Sequence, residues 1–185
     1  MGGPGRTALL IIDMQVGLLD GAFEELRVIE TVGNLLDEAR AARLPVVHVQ
    51  HDHLRYEPLM PGRATWRIHP RLAPVEGEPV VHKSASDAFY RTNLQSVLEA
   101  AGVDRLIVAG MQTEFCVDTT VRAASSRGFD VILVSDGHTT GDAALPADRI
   151  IEHHNQTLAN LAQSDHPVRV LSYADLQAEW LATAR

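Results

Sequence analysis

Short runs of consecutive apolar residues alternate along this chain with segments whose apolar residues recur every three or four positions. The run Ala8–Ile12 has no polar residue in it, which is typical of a strand buried on both faces. The segment 28–44 that follows places its apolar side chains on one helical face and ends before Pro45. This alternation predicts an α/β fold, with a parallel sheet covered by helices on both faces.

The same patterns locate the elements. They predict strands at 8–13, 46–50, 79–83, 106–110, 131–134 and 168–171. They predict helices at 28–44, 93–101, 115–127, 147–162 and 174–183, with Gly102 and Gly128 ending two of them. The stretch 52–78 is long, irregular and rich in proline and glycine, and such stretches are usually functional. Because there is no repeat or linker, we expect one domain over residues 1–185.

The composition narrows the class of partner. The formal net charge is −8, which argues against nucleic acid and against an anionic membrane surface. No stretch approaches the roughly 18 apolar residues of a membrane helix, and no glycine-rich nucleotide motif occurs. We therefore expect a small-molecule partner. Since the first residues lack a signal-peptide pattern and the chain has a free thiol, we expect a cytoplasmic protein.

The chain has one lysine and one cysteine, and both are expected at the same edge of the predicted sheet. Ligands of open parallel sheets bind at the carboxyl ends of the strands. Asp13 ends the first predicted strand, Lys83 ends the third, and Cys116 comes shortly after the fourth. Lys83 is the only lysine among 16 basic residues, and Cys116 is the only cysteine. The sequence therefore predicts that a carboxylate, an ammonium and a thiol meet at one edge of the sheet.

The predicted helix 115–127 gives the thiol a particular environment. Cys116 lies in its first turn, with Thr113 as the expected N-cap. The partial positive charge of a helix N-terminus lowers a thiol's pKa, and free N–H groups there can bind an oxyanion. A buried Asp13 needs a partner, and we expect Lys83 to be that partner. The alternative is that Cys116 is an inert core residue.

Four segments of the chain carry a resemblance to a known family. They are Leu10–Gln15, Val80–Lys83, Ala109–Val117 and Val134–Asp136. With Asp13, Lys83 and Cys116 in this order, the chain resembles the isochorismatase-like cysteine hydrolases, which have an Asp-Lys-Cys triad. That superfamily includes nicotinamidases, N-carbamoylsarcosine amidohydrolase and streptothricin hydrolase, and the resemblance extends from about residue 8 to 172.

The resemblance implies a fold and an activity. The fold is a Rossmann-like three-layer αβα sandwich with a six-stranded parallel sheet of order 3-2-1-4-5-6. The activity is hydrolysis of a C–N bond in a small amide, carbamoyl compound or lactam through a thioester on Cys116, with Asp13 and Lys83 catalytic. A cis peptide at Met111–Gln112 would place the Gln112 and Cys116 amides as an oxyanion hole. The presence of Cys116 favours this reaction over isochorismate hydrolysis, and the family also implies a homo-oligomer.

The chain departs from the metal-binding members of the superfamily. His51 stands where nicotinamidases have an aspartate ligand, His53 matches their histidine, and His69 is a possible third ligand. We favour a polar pocket without a cofactor, and zinc or a similar divalent metal is the alternative. The candidate substrate-binding residues are Gln15, His51, His53, Trp66 and Phe89, although core packing is an equal alternative for Trp66 and Phe89.

Other hypotheses remain open from the sequence. The chain could be a catalytically silent small-molecule-binding or assembly protein on the same scaffold. It could also be a metal-assisted hydrolase that uses His51 and His53. His138 follows the fifth predicted strand and is expected to be a hydrogen-bonded structural histidine, and 153–155 is expected to be a surface or subunit contact.

Overall fold

Six parallel strands form the central sheet in a computed structural model that describes residues 6–161 and 165–183. They are β1 (Arg6–Ile12), β2 (Val46–His51), β3 (Val80–Lys83), β4 (Val103–Met111), β5 (Asp130–Thr139) and β6 (Val168–Leu171). Their spatial order is β3-β2-β1-β4-β5-β6, and each neighbouring pair is parallel. This confirms the expected fold class and strand order.

Helices cover both faces of the sheet. They are α1 (Val16–Leu19), α2 (Glu25–Ala41), α3 (Leu94–Ala100), α4 (Asp118–Ser126), α5 (Ala147–Ala159) and α6 (Tyr173–Thr183). Leu9 and Ile11 of β1 face a core formed with α2 and α6, whereas Leu10 and Ile12 face a core formed with α3, α4 and α5. Of the helices described, none has both the length and the apolar character to cross a lipid bilayer.

Several element boundaries differ from those predicted. α2 begins at Glu25 and β4 begins at Val103, because polar residues near their first residues interrupt the apolar pattern. α2 ends at Ala41 and not at 44, because Arg43 has a left-handed φ of +56° and the Leu44 N–H bonds back to the Ala39 carbonyl oxygen. β5 continues to Thr139, so 136–138 lies within the strand and not after it. An irregularity in the β4–β5 register allows this extension. The predicted helix 115–127 is a π-helical turn, Thr113–Val117, followed by α4. The predicted helix 147–162 is α5, which ends earlier, at Ala159; position 162 itself lies outside the described residues.

Gly110 allows β1 and β4 to approach each other near the carboxyl ends of the two strands. Its φ is +135°, which side chains rarely tolerate, and a Cβ there would lie 2.1 Å from the Ile12 carbonyl oxygen. Gly110 pairs with Ile12 in the sheet, directly before Asp13. A side chain at position 110 would therefore push apart the two strands that carry Asp13 and Cys116.

We expect Gly110→Ala to lower the free energy of unfolding by about 2–4 kcal/mol, because the new methyl group overlaps the β1 backbone. Chemical denaturation measures this change. Gly102→Ala is the matched control, since Gly102 also has a positive φ of +66° but has no atom near the place of a Cβ. Its expected cost is about 1 kcal/mol. Equal costs for the two variants would contradict the assigned role of Gly110.

Candidate active site

The carboxyl ends of four adjacent strands bring four functional side chains to one point. Lys83 and His51 end β3 and β2 and are aligned with each other in the sheet register. Asp13 directly follows β1, and Cys116 lies in the turn that follows β4. Because β3, β2, β1 and β4 are consecutive in the sheet, the four residues lie at the same edge.

The Lys83 ammonium is the centre of this group. Its Nζ lies 2.6 Å from Asp13 Oδ2, 2.9 Å from His51 Nδ1 and 3.1 Å from Cys116 Sγ. It also donates to the Ala85 carbonyl oxygen at 3.0 Å. The Lys83 and Asp13 side chains are fully buried, so water does not screen their ion pair. The structure thus brings together the three residues that the sequence singled out.

Asp13 occupies an unusual backbone conformation at the end of β1. Its φ is +50°, in the left-handed region that aspartate tolerates better than branched residues do. Burial raises the pKa of the Asp13 carboxyl above its ordinary value, and the Lys83 ammonium offsets part of that rise. A carboxylate with a raised pKa is a stronger base than an ordinary aspartate.

The Cys116 thiol does not have the lowered pKa expected from its position near a helix N-terminus. Burial and, to a smaller extent, the negative charge of Asp13 raise its pKa to about 12, although the Lys83 ammonium opposes both effects. Desolvation therefore outweighs the helix dipole. The direction of this shift favours a neutral thiol over a preformed thiolate at rest.

Thr113 does not act as the expected N-cap. The N-cap position is Gln112, and no side chain caps the turn. The Thr113 hydroxyl instead lies 2.9 Å from His138 Nδ1, and His138 Nε2 lies 2.9 Å from Asn155 Oδ1. Burial lowers the pKa of His138 to about 4. As predicted, His138 is a hydrogen-bonded structural histidine, and it ties the turn that carries Cys116 to α5.

A cavity of about 220 Å³ opens onto the thiol. Its lining residues are Asp13, Leu18, His51, Leu59, Ser86, Gln112, Phe115 and Cys116. The peptide bond between Met111 and Gln112 is cis, as the resemblance implies. Sequence reasoning did not identify four of the lining residues: Leu18, Leu59, Ser86 and Phe115. Ser86 and Phe115 lie within three positions of Lys83 and Cys116, and this proximity is the signal that could have found them.

Gln15 and Trp66 have a different role from the expected contact with substrate. The fully buried Gln15 amide donates to the carbonyl oxygens of His51 and Trp66 and accepts from the His51 N–H. The Trp66 indole donates to Asp52 and stacks on His82. Neither side chain lines the cavity. Together they fasten the irregular segment 52–78 to the ends of β1 and β2.

Phe89 and His53 also lie outside the cavity lining. Phe89 is buried in the core, where its ring stacks on Phe129 with centroids 6.0 Å apart. His53 is exposed, and its Nδ1 accepts from the backbone N–H groups of Arg55 and Tyr56. Of the five candidate substrate-binding residues, the structure brings only His51 into the cavity.

The residues proposed for a metal site do not fit one. The imidazole Nδ1 atoms of His53 and His69 accept backbone N–H groups, and these histidines do not join His51 in a compact ligand group within the described residues. The group whose ligand atoms do lie within 4.8 Å of one another is Asp13, His51 and Cys116. The Lys83 ammonium already contacts all three, so a cation is in place there.

A larger cavity, of about 340 Å³, lies elsewhere in the molecule. Phe23, Arg27 and Val28, near the start of α2, line one side, and residues of β5 and α5 line the other. It contains none of Asp13, Lys83 and Cys116. Size alone would favour this cavity, but the reactive groups place the chemistry in the smaller one.

Comparison with known proteins agrees with this geometry. Residues 7–166 match the Isochorismatase domain family. The chain is 38% identical to streptothricin hydrolase of Streptomyces noursei, over 76% of this chain and 52% of that protein, so it spans about half the length of that relative. It is 34% identical to the secreted isochorismatase effector Isc1 of Verticillium dahliae, over 84% of this chain and 83% of that protein.

A solved structure gives the same result for the fold. The crystal structure of an isochorismatase from Pseudomonas putida KT2440 superposes with a TM-score of 0.82 at 30% identity, over 95% of this chain and 93% of the other. The family match covers most of the chain and contains Asp13, Lys83 and Cys116. This chain belongs to the isochorismatase family.

Proposed function

We propose that the protein is a cysteine hydrolase that cleaves a C–N bond in a small amide, carbamoyl compound or lactam. The observation that carries this proposal is the contact of the Lys83 ammonium with Asp13 at 2.6 Å and with Cys116 at 3.1 Å, beside a cavity. A base, a cation and a nucleophile are the groups that acyl transfer to sulfur requires. A silent binding protein would have no need to bury a charged pair against its only thiol.

In the first half of the reaction, Asp13 takes the thiol proton while Cys116 Sγ bonds to the substrate carbonyl carbon. Since the resting thiol is neutral, proton removal and attack are coupled. The Gln112 and Cys116 amides hold the oxyanion. When it collapses, the C–N bond breaks and Asp13 gives its proton to the leaving nitrogen. The products of this half are a thioester and an amine or ammonia.

In the second half, Asp13 takes a proton from water as the water oxygen bonds to the thioester carbon. The C–S bond then breaks, the carboxylic acid leaves, and the proton returns from Asp13 to sulfur. Lys83 stabilises the sulfur whenever it carries negative charge. Four acceptors within 3.1 Å compete for the three hydrogens of Lys83, so its donation can shift toward sulfur as charge develops there.

We expect a screen of amides, carbamoyl compounds and lactams for ammonia or acid release to find turnover that Cys116→Ala abolishes. Asp13→Asn is expected to lower the rate about 100-fold or more, because an amide cannot accept the thiol proton. The matched control is Asp20→Asn, at an exposed aspartate after α1, which should leave turnover unchanged. Full activity in Cys116→Ala on a genuine substrate would refute the mechanism.

Thiol alkylation should respond to Asp13→Asn in the opposite direction from turnover. The negative charge of Asp13 raises the pKa of Cys116, so its removal leaves the thiol beside the Lys83 cation alone and lowers that pKa from about 12. Alkylation by iodoacetamide near pH 8, followed by mass spectrometry, should therefore become faster in the variant. A slower reaction in Asp13→Asn would mean that Asp13 holds a preformed thiolate.

The pH profile of turnover should report the raised pKa of Asp13. Because the reaction needs the carboxylate, kcat/KM should fall as the pH drops through a value above 3.8, the ordinary aspartate pKa. Rates measured on the acid side of the optimum test this expectation. An activity that stays constant to pH 3.8 would show that Asp13 is not the base.

We also propose that the reaction needs no metal ion, since Lys83 supplies the cation between the three potential ligands. Dialysis against EDTA should leave turnover unchanged, with readdition of zinc as the control. The hypothesis of a metal-assisted hydrolase gives the reverse expectation: chelator-sensitive activity that survives Cys116→Ala. The homo-oligomer and the cytoplasmic location remain predictions of the sequence.

A further inference from the structure

The contact between Lys83 and His51 sets the hydrogen positions on the imidazole ring. An ammonium has hydrogens to donate and no lone pair to accept with. Because Lys83 Nζ lies 2.9 Å from His51 Nδ1, this nitrogen must be the acceptor. The proton of the neutral ring is therefore on Nε2, and His51 is held as a single tautomer.

His51 is also held in the uncharged state. Burial and the Lys83 charge lower its pKa to about 4. A second proton would have to sit on Nδ1, facing the ammonium, so protonation is opposed by the contact itself. His51 therefore cannot serve as an acid near neutral pH. Its Nε2 cannot serve as a base either, because that nitrogen already carries the proton.

The Nε2–H group is left without a partner among the residues that the structure describes. Nδ1 is the ring nitrogen that bonds to Lys83, and Nε2 contacts no hydrogen-bond acceptor within residues 6–161 and 165–183. His51 lines the cavity beside Cys116. An imidazole N–H without a protein acceptor, on a residue that lines a cavity, is a position at which a ligand gains by presenting one.

The other cavity walls carry no spare charge. Leu18, Leu59 and Phe115 are apolar, and Ser86 and Gln112 are polar but neutral. Asp13 is the only charged residue in the lining, and it is paired with Lys83. A substrate with its own charge would lose water there without meeting a counter-ion, which is costly.

We propose that His51 is a specificity-determining residue whose fixed Nε2–H donor, in a cavity without spare charge, selects uncharged small molecules that place a hydrogen-bond acceptor near the scissile carbonyl. This inference rests on the proposed function, since it concerns the substrate of the same site. It excludes carboxylate-bearing and cationic molecules whose charge must enter the cavity. It gives His51 a role that differs from that of Asp13, the proposed base. His53 has no such role, because it lies outside the cavity.

Two matched alkylating reagents test the charge preference without a known substrate. Iodoacetamide and iodoacetate each form an S–C bond to Cys116 and release iodide, and they differ only in carrying an amide or a carboxylate. Cys116 is the only thiol of the chain, so the mass increase of the protein reports on this site alone. For each thiol, the alkylation rate with iodoacetamide is divided by the rate with iodoacetate. We expect this ratio to be at least about tenfold higher for Cys116 than for the thiol of free glutathione. A ratio equal to or below that of glutathione would overturn the inference.

Variants of His51 test the donor. In His51→Phe, labelling by iodoacetamide should fall about tenfold relative to labelling by iodomethane, which is uncharged and offers no acceptor. The comparison with iodomethane removes any general change in the reactivity of the thiol. His51→Gln should restore most of the preference, because its amide can accept from Lys83 and donate to a ligand. His153→Phe, at an exposed histidine on α5, is the matched control and should change nothing.

The outcomes separate this inference from the proposed function. An unchanged iodoacetamide-to-iodomethane ratio in His51→Phe would overturn the role of His51, even if Cys116-dependent hydrolysis is found. Conversely, the labelling preferences require no turnover, so they would hold if hydrolysis failed. If His51→Phe does not fold, the comparison of iodoacetamide with iodoacetate on the unmodified protein still decides the charge preference.

Discussion

The ammonium of Lys83 is the group on which the rest of the site depends. Removing a lone ammonium from water costs several kcal/mol even after the protein relaxes. Here the ion pair with Asp13, at 2.6 Å, and the neighbouring acceptors of His51 and Ala85 offset that cost. One buried cation thus holds the Asp13 carboxylate, sets the tautomer of His51 and contacts the Cys116 sulfur. Loss of the ammonium would leave Asp13 as an unpaired buried charge.

The fold can assemble this group because of its strand order. Parallel strands deliver their last residues to the same edge, and the neighbours β3, β2, β1 and β4 contribute Lys83, His51, Asp13 and Cys116 in turn. The topological switch between β1 and β4 is where such sheets bind ligands. The absence of a side chain at Gly110 lets these two strands lie close together. The Gln15 amide, just after β1, accepts a hydrogen bond from the His51 N–H at the end of β2 and so joins the ends of these two strands.

The sequence predicted the sheet and the meeting of Asp13, Lys83 and Cys116 well, because both depend on patterns that one sequence contains. Apolar runs mark the strands, and the single lysine and single cysteine stand out by position and type. Roles that depend on side-chain direction were not predictable in this way. Trp66 and Phe89 are large apolar residues near the expected pocket, yet Trp66 turns to Asp52 and Phe89 packs on Phe129. Thr113 has the right spacing for an N-cap, but the π-helical turn directs its hydroxyl to His138.

The thiol shows most clearly how burial overrides a local rule, and its pKa supports the coupled proton transfer and attack that we propose. A helix N-terminus alone would lower the pKa of Cys116, but desolvation and Asp13 raise it to about 12. Burial also raises the pKa of Asp13. Asp13 is therefore a stronger base than an ordinary aspartate, while the Cys116 thiol is a weaker acid than an ordinary cysteine. A thiolate with a high pKa is scarce but intrinsically more nucleophilic than one with a low pKa. In the proposed mechanism, the sulfur is therefore unreactive at rest and becomes a strong nucleophile only as its proton moves to Asp13.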